Sequence, residues 1–532
     1  MTVFALLSGL GHTVLVMAGL LVYVLATRIG HQRRNPSAAV AWVIAMVTLP
    51  YLTLPLFLLI GTRKVVRPLR RARRLPTRLT TLMPVALQEK RPDAADAADA
   101  AAKVIASTTG PAWATQLLAC MELPPAVHNS TIVWHADGPM ALQGLMRTID
   151  SATRSLDVCT FVFGDDAIGN QVAQALLRAV QRQVAVRLLV DAVGSMHASV
   201  STMRSLQDGG VSVQRFMPLF RNPMQGHTNL RNHRKLVVAD QHQLWTGGRN
   251  LAVEYFLDRP GHPAWIDLSY EVCGPLAVQA ATHFGLDWAA ASGVTAGAAH
   301  ALQHVVLPLR QRQNQNQDQD QDDGQHVATS AVFLPNPSDP SDPADPVNSA
   351  HPVDGPLAQW VPSGPDYADD TVYTLLLAGA YHAQQRIVAV TPYFVPDDAL
   401  VDAWCLACRR GVQVTLLLPQ RSNHRLADWA RERALRALAA AGAQIWLVPS
   451  MVHAKAVLID DDFALSGSLN LDARSLFLNY EVMTAFYAAD DLRWLYRWCD
   501  KQIAHAMPYQ ARKAGWARDV AEGVVRTVGF QL

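Results

Sequence analysis

The same pattern of residues occurs twice in this chain of 532 residues, once in each half. Each copy reads His-x-Lys-x4-Asp, then six residues, then Gly-Gly or Gly-Ser, one residue and Asn. The first copy contains His233, Lys235, Asp240 and Asn250, and the second contains His453, Lys455, Asp460, Ser468 and Asn470. Two copies at identical spacing predict an internally duplicated chain with one copy of the motif in each half.

Strand and helix signals alternate in the same order in both halves. In the first half the strands are Asp157–Phe163 and Val184–Val190, around the helix Gly169–Arg182. Their counterparts in the second half are Arg386–Phe394, Val412–Leu418 and the helix Asp398–Arg410. A further strand, Val211–Phe216 or Gln444–Val448, precedes each motif. This alternation predicts an α/β fold of two duplicated lobes with covered sheets.

A polar, proline-rich segment separates the two halves at residues 311–352. Such a composition cannot bury enough apolar surface to fold alone, so we predict a disordered linker; an acidic partner-binding segment is the alternative. The predicted first lobe covers residues 128–310. The second covers residues 353–532 and ends in a C-terminal helix within Ala511–Val528.

Two long apolar runs without charged residues, at about 3–26 and 38–60, begin the chain. Each is long enough to cross a bilayer as a helix, which predicts a transmembrane hairpin within residues 1–62. Three arginines lie between the runs: Arg28, Arg33 and Arg34. Eight basic residues follow the second run: Arg63, Lys64, Arg67, Arg70, Arg71, Arg73, Arg74 and Arg78.

This excess of basic residues after the second run predicts that the remaining chain is cytoplasmic. The predicted basic juxtamembrane segment and connector covers residues 63–127. It is either a topology signal alone or also a contact for anionic lipid headgroups. The six scattered cysteines give no disulfide framework, in keeping with a reducing compartment. The net charge of +2 does not indicate a nucleic-acid-binding protein.

Paired histidines and lysines suit chemistry on a phosphate diester. One neutral imidazole attacks phosphorus and forms a phosphohistidine, while the other, protonated, donates to the leaving oxygen and then serves as base. Lys235 and Lys455 would stabilise charge on the phosphate oxygens. Asn250 and Asn470 could add amide donors, with Ser468 as a helper. This scheme requires no metal and no cofactor.

Each half supplies one motif histidine, so the predicted site lies at the interface between the lobes. Asp240 and Asp460 belong to the candidate motif set, but their odd spacing from the histidines predicts that they anchor the strand end and turn. A carboxylate that orients each histidine would fix its tautomer. Asp267 and Glu481 are the candidates for this role, against the alternative of surface carboxylates.

The duplicated motif resembles that of the phospholipase D superfamily, and further stretches are similar to bacterial cardiolipin synthases of the membrane-anchored type. These stretches are RRNPSAAVAW (33–42), LLVDAVGS (188–195), RNHRK (231–235), GGRNLAVEY (247–255), SGPD (363–366), TPYFVPDD (391–398), HAKAVLIDD (453–461), GSLNLDARS (467–475) and LNYE (478–481). The resemblance covers both halves but not the linker or about residues 65–125. It implies duplicated phospholipase D-type lobes with mixed sheets.

The resemblance also implies an activity: transfer of a phosphatidyl group from one phosphatidylglycerol to another, with release of glycerol, at the bacterial inner membrane. By position, His233 would be the nucleophile and His453 the general acid and base. The implied partners are phosphatidylglycerol and anionic membrane lipid, and the oligomeric state stays open. One departure is Gln183, where similar proteins have glycine and the second half has Gly411; we expect a strained or reshaped turn there.

Three other interpretations remain open at this point. A phospholipase D using water, or a transferase using another alcohol, would keep the chemistry and change the acceptor. A nuclease of the same superfamily is disfavoured by the near-neutral charge and the predicted hairpin. A membrane scaffold without catalysis is disfavoured by two intact copies of a reactive motif.

Overall fold

The computed structural model describes residues 2–29, 36–60, 110–218, 229–293, 355–367 and 369–511, together with 515 and 522. Three predicted segments therefore lie wholly or mostly outside the described residues. They are the basic segment after residue 62, the linker at 311–352 and the C-terminal helix within Ala511–Val528.

The chain begins with three helices, α1 (Thr2–Ile29), α2 (Pro36–Thr48) and α3 (Pro50–Ile60). They pack together through Tyr23, Met46 and Phe57. The second apolar run is thus divided, and Pro50, which disfavours helical geometry at the residue before it, begins the third helix. Among the described residues, no helix is both long and apolar enough to cross a bilayer. Membrane spanning stays a prediction.

The next elements are helix α4 (Ala112–Cys120) and the short strand β1 (Val127–His128). The strands of the first lobe follow: β2 (Thr131–His135), β3 (Ser155–Thr160), β4 (Ala185–Asp191), β5 (Ser212–Phe216), β6 (Leu236–Ala239), β7 (Gln243–Gly247) and β8 (Ser269–Cys273). Its helices are α5 (Gly138–Ser151), α6 (Ala167–Gln181), α7 (Val200–Asp208) and α8 (Pro275–Ala291), with a 3-10 turn at Val253–Tyr255.

The second lobe repeats this order with additions. Its strands are β9 (Leu357–Ser363), β10 (Arg386–Val390), β11 (Phe394–Val395), β12 (Gln413–Pro419), β13 (Gln444–Val448), β14 (Ala456–Ile459), β15 (Phe463–Gly467), β16 (Leu471–Asp472), β17 (Glu481–Phe486) and β18 (Met507–Pro508). Its helices are α9 (Thr371–His382), α10 (Asp398–Arg409), α11 (Arg425–Ala430), α12 (Glu432–Ala441), α13 (Ala473–Phe477) and α14 (Ala489–Ile503).

The two main sheets have the same topology. The first lobe has seven strands in the order β2-β8-β7-β6-β3-β4-β5. The nine-stranded sheet of the second lobe contains the matching order β9-β17-β15-β14-β10-β12-β13 between β1 and β18. The last three strands of each matching series are parallel, whereas the others pair antiparallel. Both sheets are therefore mixed, and the predicted duplication of an α/β lobe is confirmed.

The segment before the first lobe packs on the second lobe. Strand β1 pairs antiparallel with β9, and α4 buries Ala114 and Leu118 in the second lobe's core. Residues that precede the first lobe in the chain therefore belong to the sheet and core of the second lobe. The predicted boundary between the connector and the first lobe, between residues 127 and 128, falls inside β1. A two-residue strand has no periodic pattern by which the sequence could reveal it.

One hydrophobic core runs through both lobes. It contains Trp134 and Tyr270 of the first lobe together with Phe486 of the second. Trp134 packs on Phe486 with ring centroids 4.7 Å apart and donates from Nε1 to Asp491 Oδ1 at 2.8 Å. The Tyr270 hydroxyl donates to Ser466 O at 3.1 Å. The lobes therefore meet over buried, specific contacts rather than through the linker alone.

Candidate active site

Both motif segments lie in extended backbone that leads into a strand, not in the strand itself. His233 and Lys235 precede β6, and His453 and Lys455 precede β14. Each segment hydrogen-bonds to the opposite lobe. His233 N donates to Tyr480 O at 2.8 Å, and His453 N donates to Ile266 O at 2.7 Å. The backbone of each lobe thus fixes the histidine of the other.

His233 receives its carboxylate partner from the second lobe. Its Nδ1 lies 3.0 Å from Glu481 Oε1 and 3.2 Å from Ser468 O. Ser468 Oγ also donates to Glu481 Oε2 at 2.5 Å and accepts from Val482 N at 3.0 Å. A proton on Nδ1, directed at the carboxylate, leaves Nε2 as the ring nitrogen with a free lone pair.

His453 has the reciprocal arrangement with the first lobe. Its Nδ1 lies 2.6 Å from Asp267 Oδ2, and both groups are buried. Tyr255 and Trp265, also from the first lobe, pack on the imidazole with ring centroids 5.0 and 5.3 Å away. On the other side of the site, Phe161 packs edge-on against His233 at 4.8 Å.

Both lysines are buried next to the histidines. Lys235 Nζ donates to His233 O. Lys455 Nζ lies 2.7 Å from Nδ1 and 3.0 Å from Nε2 of His453. Burial lowers the pKa of Lys235 to about 8. Burial, together with the nearby Lys235 ammonium, lowers the pKa of Lys455 to about 7.

The histidines are held neutral while their carboxylates are held ionised. Burial and the adjacent lysines lower the pKa of His233 and lower that of His453 to about 3. Burial alone would raise the pKa of Asp267, but His453 and Lys455 outweigh it and set the pKa at about 2. His233 likewise keeps the pKa of Glu481 below its usual value, against the effect of burial.

Asp240 and Asp460 lie at the far ends of β6 and β14 from the histidines. The Asp240 carboxylate accepts from the backbone N–H groups of Thr153, Arg154 and Ser155, each at 2.8 Å. Asp460 accepts in the same way from residues 384–386 at 2.8–2.9 Å. Both have positive φ, 52° and 47°. These contacts tie down the turn after each strand, away from the paired histidines.

The asparagines are placed differently from each other. Asn250 Nδ2 donates to the Tyr255 hydroxyl at 2.7 Å, and its Oδ1 accepts from Val162 N at 3.2 Å. It therefore holds Tyr255, which forms a wall on the His453 side of the site. Asn470 is buried, and its Oδ1 has no hydrogen-bond partner among the described residues.

The residues on either side of His233 bond to a buried carboxylate that the sequence did not predict. Arg234 NH1 donates to Asp287 Oδ1 at 2.5 Å, and its Nε donates to Glu481 O at 3.1 Å. Asn232 Nδ2 donates to the second oxygen of Asp287 at 3.1 Å. Asp287 lies on α8, far from either motif in sequence, so no local signal could identify it.

Two buried histidines with reciprocal carboxylates and two lysines thus form one site shared by two lobes, an arrangement that can carry out transfer at a phosphodiester. A model described as "Cardiolipin synthase, PLD-like domain" matches residues 145–262 and 376–503. Cardiolipin synthase A of Pseudomonas aeruginosa is 30% identical over 451 residues, which cover 85% of this chain and 81% of that protein. The chain belongs to the cardiolipin synthase family.

Two further proteins are similar to this chain. Cardiolipin synthase A of Escherichia coli is 29% identical over 352 residues, which cover 65% of this chain and 63% of that protein. The crystal structure of phosphatidylserine synthase from Haemophilus influenzae aligns with a TM-score of 0.54 at 16% identity, covering 78% of this chain and all of that chain. That second likeness shows a shared fold.

Proposed function

We propose that this protein transfers a phosphatidyl group between two phosphatidylglycerol molecules, forming cardiolipin and releasing glycerol. The observation that carries this proposal is the reciprocal pairing of His233 with Glu481 and His453 with Asp267 across the lobe interface. This pairing places two imidazoles in one buried site. A double displacement at phosphorus needs two, one as nucleophile and one as general acid and base. Similarity to cardiolipin synthases supports phosphatidylglycerol as donor and acceptor.

In the first step, neutral His233 attacks phosphorus through Nε2. The bond from phosphorus to the glycerol oxygen breaks, and His453 in its imidazolium form gives its proton to that oxygen. A bound phosphodiester anion favours this protonated form, because its negative charge adds to that of Asp267 and offsets the nearby Lys455 and Lys235 ammonium groups. Glycerol leaves, and the phosphatidyl group remains on His233.

In the second step, a second phosphatidylglycerol occupies the place of glycerol. His453, now neutral, takes the proton of its headgroup hydroxyl, whose oxygen attacks phosphorus as the bond to His233 breaks. Lys235 and Lys455 stabilise the charge that develops on the non-bridging oxygens in both steps. Asp240 and Asp460 act by holding the strands, while Asn250, Asn470 and Ser468 support the walls and the Glu481 carboxylate.

We further propose that residues 1–62 anchor the protein in the bacterial inner membrane as a multi-pass hairpin, with both lobes cytoplasmic. The apolar character of α1, α2 and α3 and the basic residues that follow them support this placement. The proposed linker at 311–352 then joins two lobes that act as one catalytic unit.

The test is to incubate the detergent-solubilised full chain with phosphatidylglycerol and to identify the products by mass spectrometry. Cardiolipin and glycerol in equal amounts are expected. Phosphatidic acid without cardiolipin would replace the proposal with a hydrolase. His233→Ala and His453→Ala should each abolish turnover, and substantial activity in either folded variant would exclude the paired-histidine mechanism.

A further inference from the structure

Two exposed apolar segments occupy equivalent places in the two lobes. In the first lobe, Met196 and Val200 are 60% and 65% exposed in the segment that follows β4. In the second lobe, Leu426 and Trp429 are 51% and 58% exposed on α11, which follows β12. Strands β4 and β12 correspond in the matched sheet orders. We call these four side chains the apolar rim.

The first half of the rim is attached to the His233 side of the site. Strand β4 ends at Asp191, whose carboxylate accepts from Asn232 N at 2.9 Å, next to His233. Ser195, adjacent to Met196, donates from Oγ to Phe161 O at 2.8 Å. The Phe161 ring in turn contacts His233. Met196 and Val200 therefore extend outward from the wall of the site.

The second half is attached through Tyr393. The Tyr393 hydroxyl donates to Asn423 Oδ1 at 2.6 Å, and the Tyr393 ring lies 5.2 Å from the ring of His424, directly before α11. Thr391 Oγ1 donates to Tyr393 O at 2.9 Å and accepts from Leu471 N at 3.1 Å, next to Asn470 of the second motif. Both halves of the rim thus lie at the edge where the parallel strands of their lobe end and the site begins.

The exposed charges next to Leu426 and Trp429 are mainly basic. Arg421, Arg425 and Arg433 are exposed around Leu426 and Trp429, and Arg204 is exposed one helical turn after Val200. The acids next to Leu426 and Trp429 are engaged: Asp428 pairs with Arg431 at 3.1 Å, and Glu432 accepts from the Tyr509 hydroxyl at 3.0 Å. Exposed apolar side chains bordered by arginines match the boundary between acyl chains and anionic headgroups.

We propose that the apolar rim inserts into the surface of an anionic bilayer and places the paired histidines over the headgroups. This inference rests on the proposed function, because the bilayer then contains both substrates. Tryptophan and methionine side chains suit this interface, where an apolar body enters the acyl chains and arginines reach the phosphates. A headgroup can then enter the site while its acyl chains stay in the membrane.

The first test separates docking from chemistry. The full chain is reconstituted in phosphatidylglycerol vesicles as wild type, as Leu426→Ser/Trp429→Ser and as Met196→Ser/Val200→Ser. Each double variant should lose about tenfold in kcat/KM toward vesicle lipid. With a short-chain phosphatidylglycerol below its micelle concentration, the rate should change less than about twofold. Equal losses on both substrates, or no loss on vesicles, would overturn the proposal.

Tyr381→Ser supplies the matched control. Tyr381 is 56% exposed, but it lies at the end of α9, close to where β10 begins and therefore at the opposite edge of the sheet. This variant should behave as wild type on both substrates. No cardiolipin from wild type on either substrate would instead refute the proposed function, a result distinct from failure of the docking proposal.

The second test is spectroscopic and independent of turnover. Lipids brominated in the upper acyl chain should quench Trp429 emission, so Trp429→Phe should remove part of the quenching seen in the wild type. An unchanged quenched fraction would exclude insertion at this point. If a second copy of the chain covers the rim instead, the double variants will change the sedimentation of the detergent-solubilised protein while the quenching stays absent.

Discussion

Glu481 and Asp267 each orient a histidine that belongs to the other lobe. Neither lobe alone can therefore hold its motif histidine in a fixed orientation. Glu481→Gln removes the anion that raises the pKa of His233 against burial. We expect kcat to fall about 100-fold, since a carboxylate that fixes a ring tautomer contributes on that order. The limb of the pH profile that reports protonation of His233 should move to lower pH.

The pH profile distinguishes this positioning role from a loss of structure. A variant with lower kcat and an unchanged profile would contradict it. Asp461→Asn is the matched control, because Asp461 pairs with Arg386 on an exposed surface, and this variant should leave both kcat and the profile unchanged.

The two lysines set the alkaline limit of activity. Their pKa values of about 7 for Lys455 and about 8 for Lys235 mean that the free enzyme loses its ammonium groups as the pH rises through this window. We expect kcat/KM to fall there, because neutral amines do not stabilise phosphate charge. Lys455→Arg keeps its charge, so the fall should begin only near the pKa of Lys235. A profile unaffected by Lys455→Arg would exclude titration of this lysine.

Gln183 gives a stability prediction from one backbone angle. Gln183 adopts φ +67°, and Gly411, its counterpart in the second lobe, adopts φ +93°. Both residues thus lie in the left-handed region, so Gln183 is strained as expected. A side chain in this left-handed region is strained, so Gln183→Gly should stabilise the protein by about 0.5–1 kcal/mol without changing kcat. Gly411→Gln should destabilise it by a similar amount, because open space surrounds Gly411 and only the backbone opposes the change. Thermal unfolding in detergent measures both.

The functional residues could be predicted from the sequence where the spacing of the repeated motif identifies them. The two motifs identify His233, Lys235, His453 and Lys455. A histidine with a fixed tautomer needs a carboxylate partner, and Asp267 and Glu481 are the candidates for that role. The exchange of carboxylates between lobes was not predictable, because it depends on how the two sheets face each other. The same limit applies to Asn250, whose amide is used by Tyr255 in the folded protein.

Among the secondary-structure elements, helix α8 is one that no amphipathic pattern in the sequence marks. The helices and strands around the parallel part of each sheet match the alternating pattern closely, whereas α8 is buried on several sides and lacks one apolar face. Its position matters because Asp287 holds both Arg234 and Asn232 beneath His233. This helix therefore connects the core of the first lobe to the catalytic segment.

Removing one partner of that buried pair should be costly. Asp287→Leu leaves the Arg234 guanidinium buried without its carboxylate, and we expect a loss of about 3–5 kcal/mol in unfolding free energy. Arg234→Met added to it removes the unpaired charge and should recover most of the loss. Denaturant unfolding of the wild type, Asp287→Leu, Arg234→Met and the double variant measures the coupling, and additive losses would contradict it.

At the scale of the whole molecule, the lobes are held together by contacts rather than by chain connectivity. The segment before the first lobe contributes β1 to the second lobe's sheet and α4 to its core. Trp134, Tyr270 and Phe486 then join the cores of the two lobes. The sequence indicated two lobes and a linker, but these non-local contacts leave no local pattern by which to predict them.

These contacts predict that the linker can be cut. A protease site placed within residues 311–352, cleaved after folding, should give two fragments that co-elute and keep most of the wild-type activity, because β1, α4 and the shared core stay buried. Leu118, which is fully buried in the second lobe's core, provides the opposing variant. Cleaved Leu118→Asp should separate or lose activity more readily than cleaved wild type. Dissociation of the cleaved wild type would mean that the connection, not the interface, keeps His233 against Glu481.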